Sequence, residues 1–254
     1  MDLGLNGRTV IVTGASGGIG REIARGFGAE GADVVLTYHR ARDQAERLAK
    51  EIEQAGGRAL AVRHDMADPG STAALARAAT DWTGRIDVLV NNAVHWGADA
   101  PDPESRYETV PDESWQATVR HNIEGAIRLS REVTPVMRRR EWGRMVHISS
   151  SLATDGGAGS EYYAAAKAAL HGFSRSLAFS LGKDGDILSN VVMPGLTRTD
   201  TNGFVTDQWA DHYSALTPIG RLLTAAEVAA PVVFLASAAN TGITGQAITV
   251  TGGA

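Results

Sequence analysis

Tyr163 and Lys167 stand four residues apart in the alanine-rich run YYAAAKAAL. Such a run predicts helix, and positions four apart share one helix face. A tyrosine hydroxyl is a poor acid or base near neutrality, because its reference pKa is about 10. Bringing it to about 7 takes about 4 kcal/mol, at about 1.36 kcal/mol per tenfold step. A lysine charge about 4 Å away, at an effective dielectric of about 20, supplies about that much. The pair therefore suits a proton donor working at neutral pH. Thirteen residues before the tyrosine, just past the apolar run MVHIS, Ser150 offers a hydroxyl to the same substrate oxygen.

Elements that could position this chemistry begin near the N-terminus. Residues 8–13 (RTVIVT) form a short β-branched run that predicts a buried parallel strand. The turn GASGGIG follows, from Gly14 to Gly20, and then the helix-periodic REIARGFGAEG. Strand, glycine-rich turn and helix N-terminus together make a phosphate-binding arrangement. Its expected contacts are Gly14, Ser16, Gly18, Ile19 and Gly20. The spacing is G-x-x-x-G-x-G rather than the general dinucleotide fingerprint G-x-G-x-x-G.

A second strand over 32–37 runs into Tyr38-His39-Arg40, where cofactor choice is expected. An acidic side chain about 20 residues beyond the glycines would hold a ribose 2′-hydroxyl, whereas arginine accommodates a 2′-phosphate. No Asp or Glu lies between Val34 and Arg42, so His39 and Arg40 are the candidates and NADP(H) is favoured over NAD(H). The β-α alternation continues with a helix over 41–55, a strand over 58–63, a helix over 71–83 and a strand over 88–90. Residues 95–109 predict a proline- and acid-rich loop, followed by a helix opened at Pro111. His95 and Trp96 follow a strand's carboxyl end, where α/β sheets bind ligands, and are candidate substrate-pocket residues. A strand over 187–193, a helix over 225–237 and a strand over 247–250 close the chain. Between them, 196–217 is polar with scattered aromatics (Phe204, Trp209, Tyr213), the composition of a substrate lid. The expected fold is α/β, one doubly wound, Rossmann-like parallel sheet with helices on both faces.

Composition narrows the function classes. The chain has 254 residues, 43% apolar, with a net charge of −5. That charge gives no reason to expect nucleic acid or an anionic membrane surface as partner. With no cysteines, disulfides, thiol chemistry and thiolate metal sites are excluded, and no metal is expected. No run approaches the roughly 18 apolar residues of a membrane span, and no secretory signal is evident at the N-terminus, so the expected location is the cytoplasm.

Ser150, Tyr163 and Lys167, with TGASGGIG, the Asn91-Asn92-Ala93 triplet and Pro194-Gly195, resemble the short-chain dehydrogenase/reductase family. The resemblance runs from Gly7 to Gly253 and is nearest the branch of 3-oxoacyl-[carrier protein] reductases and sugar or alcohol dehydrogenases. It implies a carbonyl reductase of a 3-oxoacyl thioester or related ketone, or an alcohol or sugar dehydrogenase, with a dinucleotide-binding regulator as the non-enzymatic alternative; the long loop bearing His95 and Trp96 adds a cyclic secondary-metabolite ketone as an alternative substrate. Among site residues it implies that Asp65 and Met66 hold the adenine and that Asn92 and Ala93 line the cofactor. Asn122 shapes its helix around a water that connects to Lys167, and Lys167 contacts the nicotinamide ribose. Past Pro194 and Gly195, Thr197 and Thr199 contact the carboxamide. The resemblance also implies a homotetramer and an acyl carrier protein as partner, for which Arg138-Arg139-Arg140 is a candidate landing patch. The chain departs from the family pattern at Val94, where glycine is usual, and at Gly17, where NADP-preferring members often carry a basic residue.

Overall fold

A computed structural model describes residues 1–96, 106–202 and 207–254. The first half alternates strand and helix: β1 (Thr9–Val12), α1 (Gly18–Ala29), β2 (Asp33–Tyr38), α2 (Arg42–Gln54), β3 (Arg58–Arg63), α3 (Pro69–Thr83) and β4 (Val88–Asn91). Helix α4 (Asp112–Val119) runs through a π-helical turn at Arg120–Glu124 into α5 (Gly125–Arg139), which returns to β5 (Trp142–Ile148). Next come α6 (Leu152–Asp155), the long α7 (Glu161–Leu181) and β6 (Asp186–Pro194). The chain then adds β7 (Thr197–Arg198), α8 (Asp207–Leu216), β8 (Leu223–Thr224), α9 (Ala225–Leu235) and β9 (Ala247–Val250).

Seven strands form one parallel sheet in the order β3-β2-β1-β4-β5-β6-β9, and β7 pairs separately with β8. The two-residue period of a strand sends alternate side chains to opposite faces. Val10 and Val12 enter one core with Val34, Leu36, Val88 and Val90, against α1, α2 and α9. Ile11, Val35 and Leu89 enter the other, against α3, α5 and the end of α7. Both faces are covered, which explains why these strands read as unbroken apolar runs. Strand order reverses between β1 and β4, and the crevice outside their carboxyl ends is where such sheets bind ligands. All the candidate catalytic residues lie at that edge.

Leu170 and Leu181 are buried, and Leu177 packs on the second core cluster. Arg138, Arg139 and Arg140 are exposed at the end of α5, which leads into the start of β5. They therefore sit at the opposite end of the sheet from Ser150, and Arg138 is tied to Asp184 at 2.7 Å. That placement removes them as a landing patch beside the site. No described helix is long and apolar enough to cross a membrane.

Candidate active site

Strand β5 and helix α7 bring the chemistry together. Ser150 follows the carboxyl end of β5, where its hydroxyl accepts the Leu152 N–H at 3.3 Å, and it acts on the hydroxyl of Tyr163 in the first turn of α7, lowering that group's pKa. One turn on, the Lys167 ammonium donates to the Ile148 carbonyl at 2.9 Å, with Nζ 5.7 Å from the centre of the Tyr163 ring. Both side chains are buried, Tyr163 to 7% exposure and Lys167 to 2%.

Burial dominates both titrations. It pushes the Lys167 ammonium down from 10.5 to about 8. It raises the Tyr163 hydroxyl above its ordinary 10, opposed by Ser150. This corrects the expectation that the lysine charge lowers the tyrosine: here Nζ turns to a backbone carbonyl, and Ser150 supplies the lowering interaction.

Asn122 is buried in the π-helical turn. Its Nδ2 donates to the His95 carbonyl at 2.6 Å and to the Thr118 carbonyl at 2.8 Å, while its Oδ1 accepts the His95 N–H at 3.2 Å. The amide thus clamps both backbone polar groups of His95. A cavity of about 10 Å³, lined by Thr13, His64, Asn91, His121, Asn122 and Lys167 among others, joins this turn to the lysine. That is about the room one water requires.

Trp96, next to the clamped His95, stacks on Tyr163 with ring centres 4.5 Å apart and 22° between planes. The His95 ring meets His121 edge-on at 4.5 Å. Val94 is 38% exposed, which explains how a branched side chain is accepted where glycine is usual. Phe204 lies outside the described residues.

The cofactor cradle is shaped by its glycines. Gly14 has φ +64°, and a Cβ there would come within 2.9 Å of Ala93 Cα. A Cβ on Gly20 would strike the Gly14 carbonyl and the Asn92 amide. Asn92 Nδ2 donates to the Thr13 carbonyl at 2.9 Å, and Thr13 Oγ1 accepts the N–H groups of Asn92 and Ala93. The turn is therefore drawn tightly against the end of β4, leaving backbone at the start of α1. The residues present fit a nicotinamide dinucleotide.

At the ribose end, His39 lies 3.4 Å from the Asp65 carboxylate, and Arg40 is exposed. Met66 closes on Gly125 below the cavity. Past β6, the Pro194 carbonyl accepts the Ser151 N–H, and the Gly195 N–H is held by Val250. Thr197 is buried, whereas the Thr199 hydroxyl donates to Asn202 at 2.7 Å rather than standing open.

Three features were not legible from spacing. Asp200 accepts the Gly18 N–H at 3.2 Å and pairs with Arg21 at 2.7 Å, tying the segment after β7 to the glycine turn. Burial opposes ionisation of Asp200, but those two partners outweigh it and hold the carboxyl below its ordinary value. His147, behind the lysine, is fully buried, accepts from Asn91 at 3.1 Å through Nδ1, and leaves Nε2 unpartnered. Burial, with the Lys167 charge, lowers it to about 4. Ser149 donates to the Lys167 carbonyl at 3.0 Å and lies 2.8 Å from His171, which braces α7 against β5. Among the described residues no cluster of His, Asp or Glu could hold a metal ion.

Residues 14–254 match the family model described as enoyl-(acyl carrier protein) reductase. The chain is 36% identical over 252 residues to L-rhamnose 1-dehydrogenase (NAD(P)(+)) of Sphingomonas sp. (strain SKA58), covering 98% of this chain and 96% of that one. It is 36% identical over 254 residues to the 3-oxoacyl-[acyl-carrier-protein] reductase FabG of Salmonella typhimurium, covering 99% and 98%. Among solved structures, a 7α-hydroxysteroid dehydrogenase complexed with NADH and 7-oxo glycochenodeoxycholic acid superposes with a TM-score of 0.91 at 34% identity, covering 99% and 96%. A short-chain dehydrogenase from Burkholderia cenocepacia J2315, in complex with NADP, gives 0.88 at 34% identity, covering 98% of each chain.

Proposed function

Because this chain belongs to the short-chain dehydrogenase/reductase family of NAD(P)-dependent oxidoreductases, we propose that it reduces a ketone to the alcohol, with NADPH as the preferred cofactor. The observation that carries this is the meeting of Ser150, at the carboxyl end of β5, with the buried Tyr163 and, one helical turn on, the buried Lys167. A bound nicotinamide would supply hydride to the carbonyl carbon.

The chain's own residues do the rest. Ser150 holds the carbonyl oxygen and stabilises the charge that develops on it. Tyr163 gives its hydroxyl proton to that oxygen as general acid. Lys167 would contact the nicotinamide ribose, and Asn122, across the small cavity, completes the proton path. Gly14, Ser16, Gly18, Ile19 and Gly20 would hold the pyrophosphate, with Asp65 and Met66 on the adenine. Asn92 and Ala93 would line the cofactor, and past Pro194 and Gly195 the residues Thr197 and Thr199 would meet the carboxamide. Asp200, joined to Gly18 and Arg21, would anchor the start of a lid over 196–217 beside the glycine turn.

NADPH preference rests on the missing acid after β2 and on Arg40, exposed where a 2′-phosphate would meet it. The test is a panel of ketones and alcohols followed by nicotinamide absorbance with each cofactor in turn. Wild type should favour NADPH, and Arg40→Ala should weaken NADPH far more than NADH, through loss of a charge-assisted contact. Equal kcat/KM for both cofactors in wild type would overturn the preference.

A 3-oxoacyl thioester, the substrate class named for the Salmonella relative, stands beside a free ketone in the same mechanism. Turnover of free ketones without any of an acetoacetyl thioester would remove the carrier-protein partner. We further propose a cytoplasmic homotetramer, which a monomeric mass by light scattering would reject.

A further inference from the structure

Two aromatic stacks flank the start of α7. Trp115 lies on Tyr162 with ring centres 5.4 Å apart and 19° between planes. Its indole N–H donates to Asp112 at 2.9 Å, and the Tyr162 hydroxyl donates to the Tyr107 carbonyl at 2.9 Å. That stack is closed by hydrogen bonds at both ends and fastens α4 to α7. Trp96 lies instead on Tyr163, the ring whose hydroxyl meets Ser150. It keeps 43% of its surface exposed while the tyrosine beneath is buried to 7%. Its position is held from behind, because Asn122 fixes both backbone polar groups of the preceding residue, His95.

A planar indole therefore lies against the ring that carries the reacting hydroxyl. A carbonyl oxygen that reaches Ser150 and Tyr163 brings its carbon skeleton up beside that plane. A six-membered ring offers the indole a broad apolar face of C–H groups in one fixed conformation. An open chain offers a narrow edge and must surrender rotational freedom to lie flat. We infer that Trp96 is a specificity-determining residue that selects ring substrates, an alicyclic ketone or a pyranose, over open-chain carbonyls by stacking on the ring face. The inference rests on the oxidoreductase mechanism proposed above and names the substrate class of that same site.

The test compares wild type, Trp96→Ala and Trp96→Phe on three substrates at saturating cofactor. These are an alicyclic ketone, an open-chain ketone of equal carbon number, and an aldopyranose followed in the oxidising direction. In wild type, ring substrates should be preferred. In Trp96→Ala the ring-to-chain ratio of kcat/KM should fall about three- to tenfold, the usual worth of an aromatic face contact, and the loss should appear in KM rather than kcat. Trp96→Phe keeps an aromatic face and should retain most of the ratio, which separates lost stacking from a loosened loop. Whichever ring loses more on Trp96→Ala identifies the source, alicyclic or sugar. An unchanged ring-to-chain ratio in Trp96→Ala, or a preference for the open chain in wild type, overturns the inference and leaves the reductase standing. No turnover of any carbonyl or alcohol by wild type overturns both.

Discussion

The two ends of β5 bury polar side chains in opposite ways. At its start, Arg144 is fully buried, and burial pulls its pKa below the ordinary value. Its guanidinium nonetheless reaches the carbonyls of Gly143, Asp186, Ser237 and Asn240 and the Asp186 carboxylate, all between 2.7 and 3.2 Å. At the far end, Lys167 has one hydrogen bond, His147 has a nitrogen with no partner, and Tyr163 relies on Ser150. A buried charge whose donors are all satisfied locks a fold. A buried group left short of partners has its protonation shifted, and that is what proton-transfer chemistry uses.

Arg144→Ala should break the first end. It removes five hydrogen bonds and leaves buried carbonyls unpaired, so unfolding free energy should drop by about 3–5 kcal/mol, measured by denaturant melts. A loss below about 1 kcal/mol would mean that this cluster is not the lock described.

Lys167→Met should do the reverse at the other end. A fall from 10.5 to about 8 corresponds to about 3 kcal/mol of disfavoured charge. Less the lost bond to Ile148, the variant should be about 1–3 kcal/mol more stable at pH 7 while losing turnover. The folded-state pKa lies below the unfolded one, so the unfolded chain holds the extra proton between them, and wild-type stability recovers as pH rises from about 8 toward 10.5. The advantage of the variant should shrink across that window. A gain that does not change with pH would assign it to packing instead.

The acid side is governed by two buried histidines. Burial lowers His64 and His147 from 6.5 to about 4. Their contribution is fully present above pH 6.5 and is lost as pH falls toward 4, by up to about 1.4 kcal/mol per pH unit for each histidine. His64→Gln should flatten this limb by one proton. An unchanged slope would show that His64 charges freely in the folded protein.

Much of the fold was legible because short apolar strand runs alternate regularly with helix-periodic segments. The strands over 58–63 and 247–250 fall where the alternation placed them, and β1, β2, β4 and β6 differ only at their ends. The π-helical turn at Asn122 was not legible, since one extra residue per turn leaves no mark in side-chain pattern. Helix α8 and the β7–β8 pair were hidden in a polar stretch whose order depends on tertiary contacts. In the site, Ser150, Tyr163 and Lys167 were marked by spacing, and the cradle by its glycines. The direction of Lys167 was not, because its carbonyl partner is nineteen residues away. Nor was Asp200, whose partners Gly18 and Arg21 lie near the other end of the chain.

The claim that Tyr163 gives the proton is tested most directly by Tyr163→Phe, with turnover and cofactor affinity measured side by side. The ring, its stack with Trp96 and the cradle all survive that change, so cofactor affinity should hold while turnover falls by about 10²–10⁴-fold or more. Turnover within about tenfold of wild type would contradict the account.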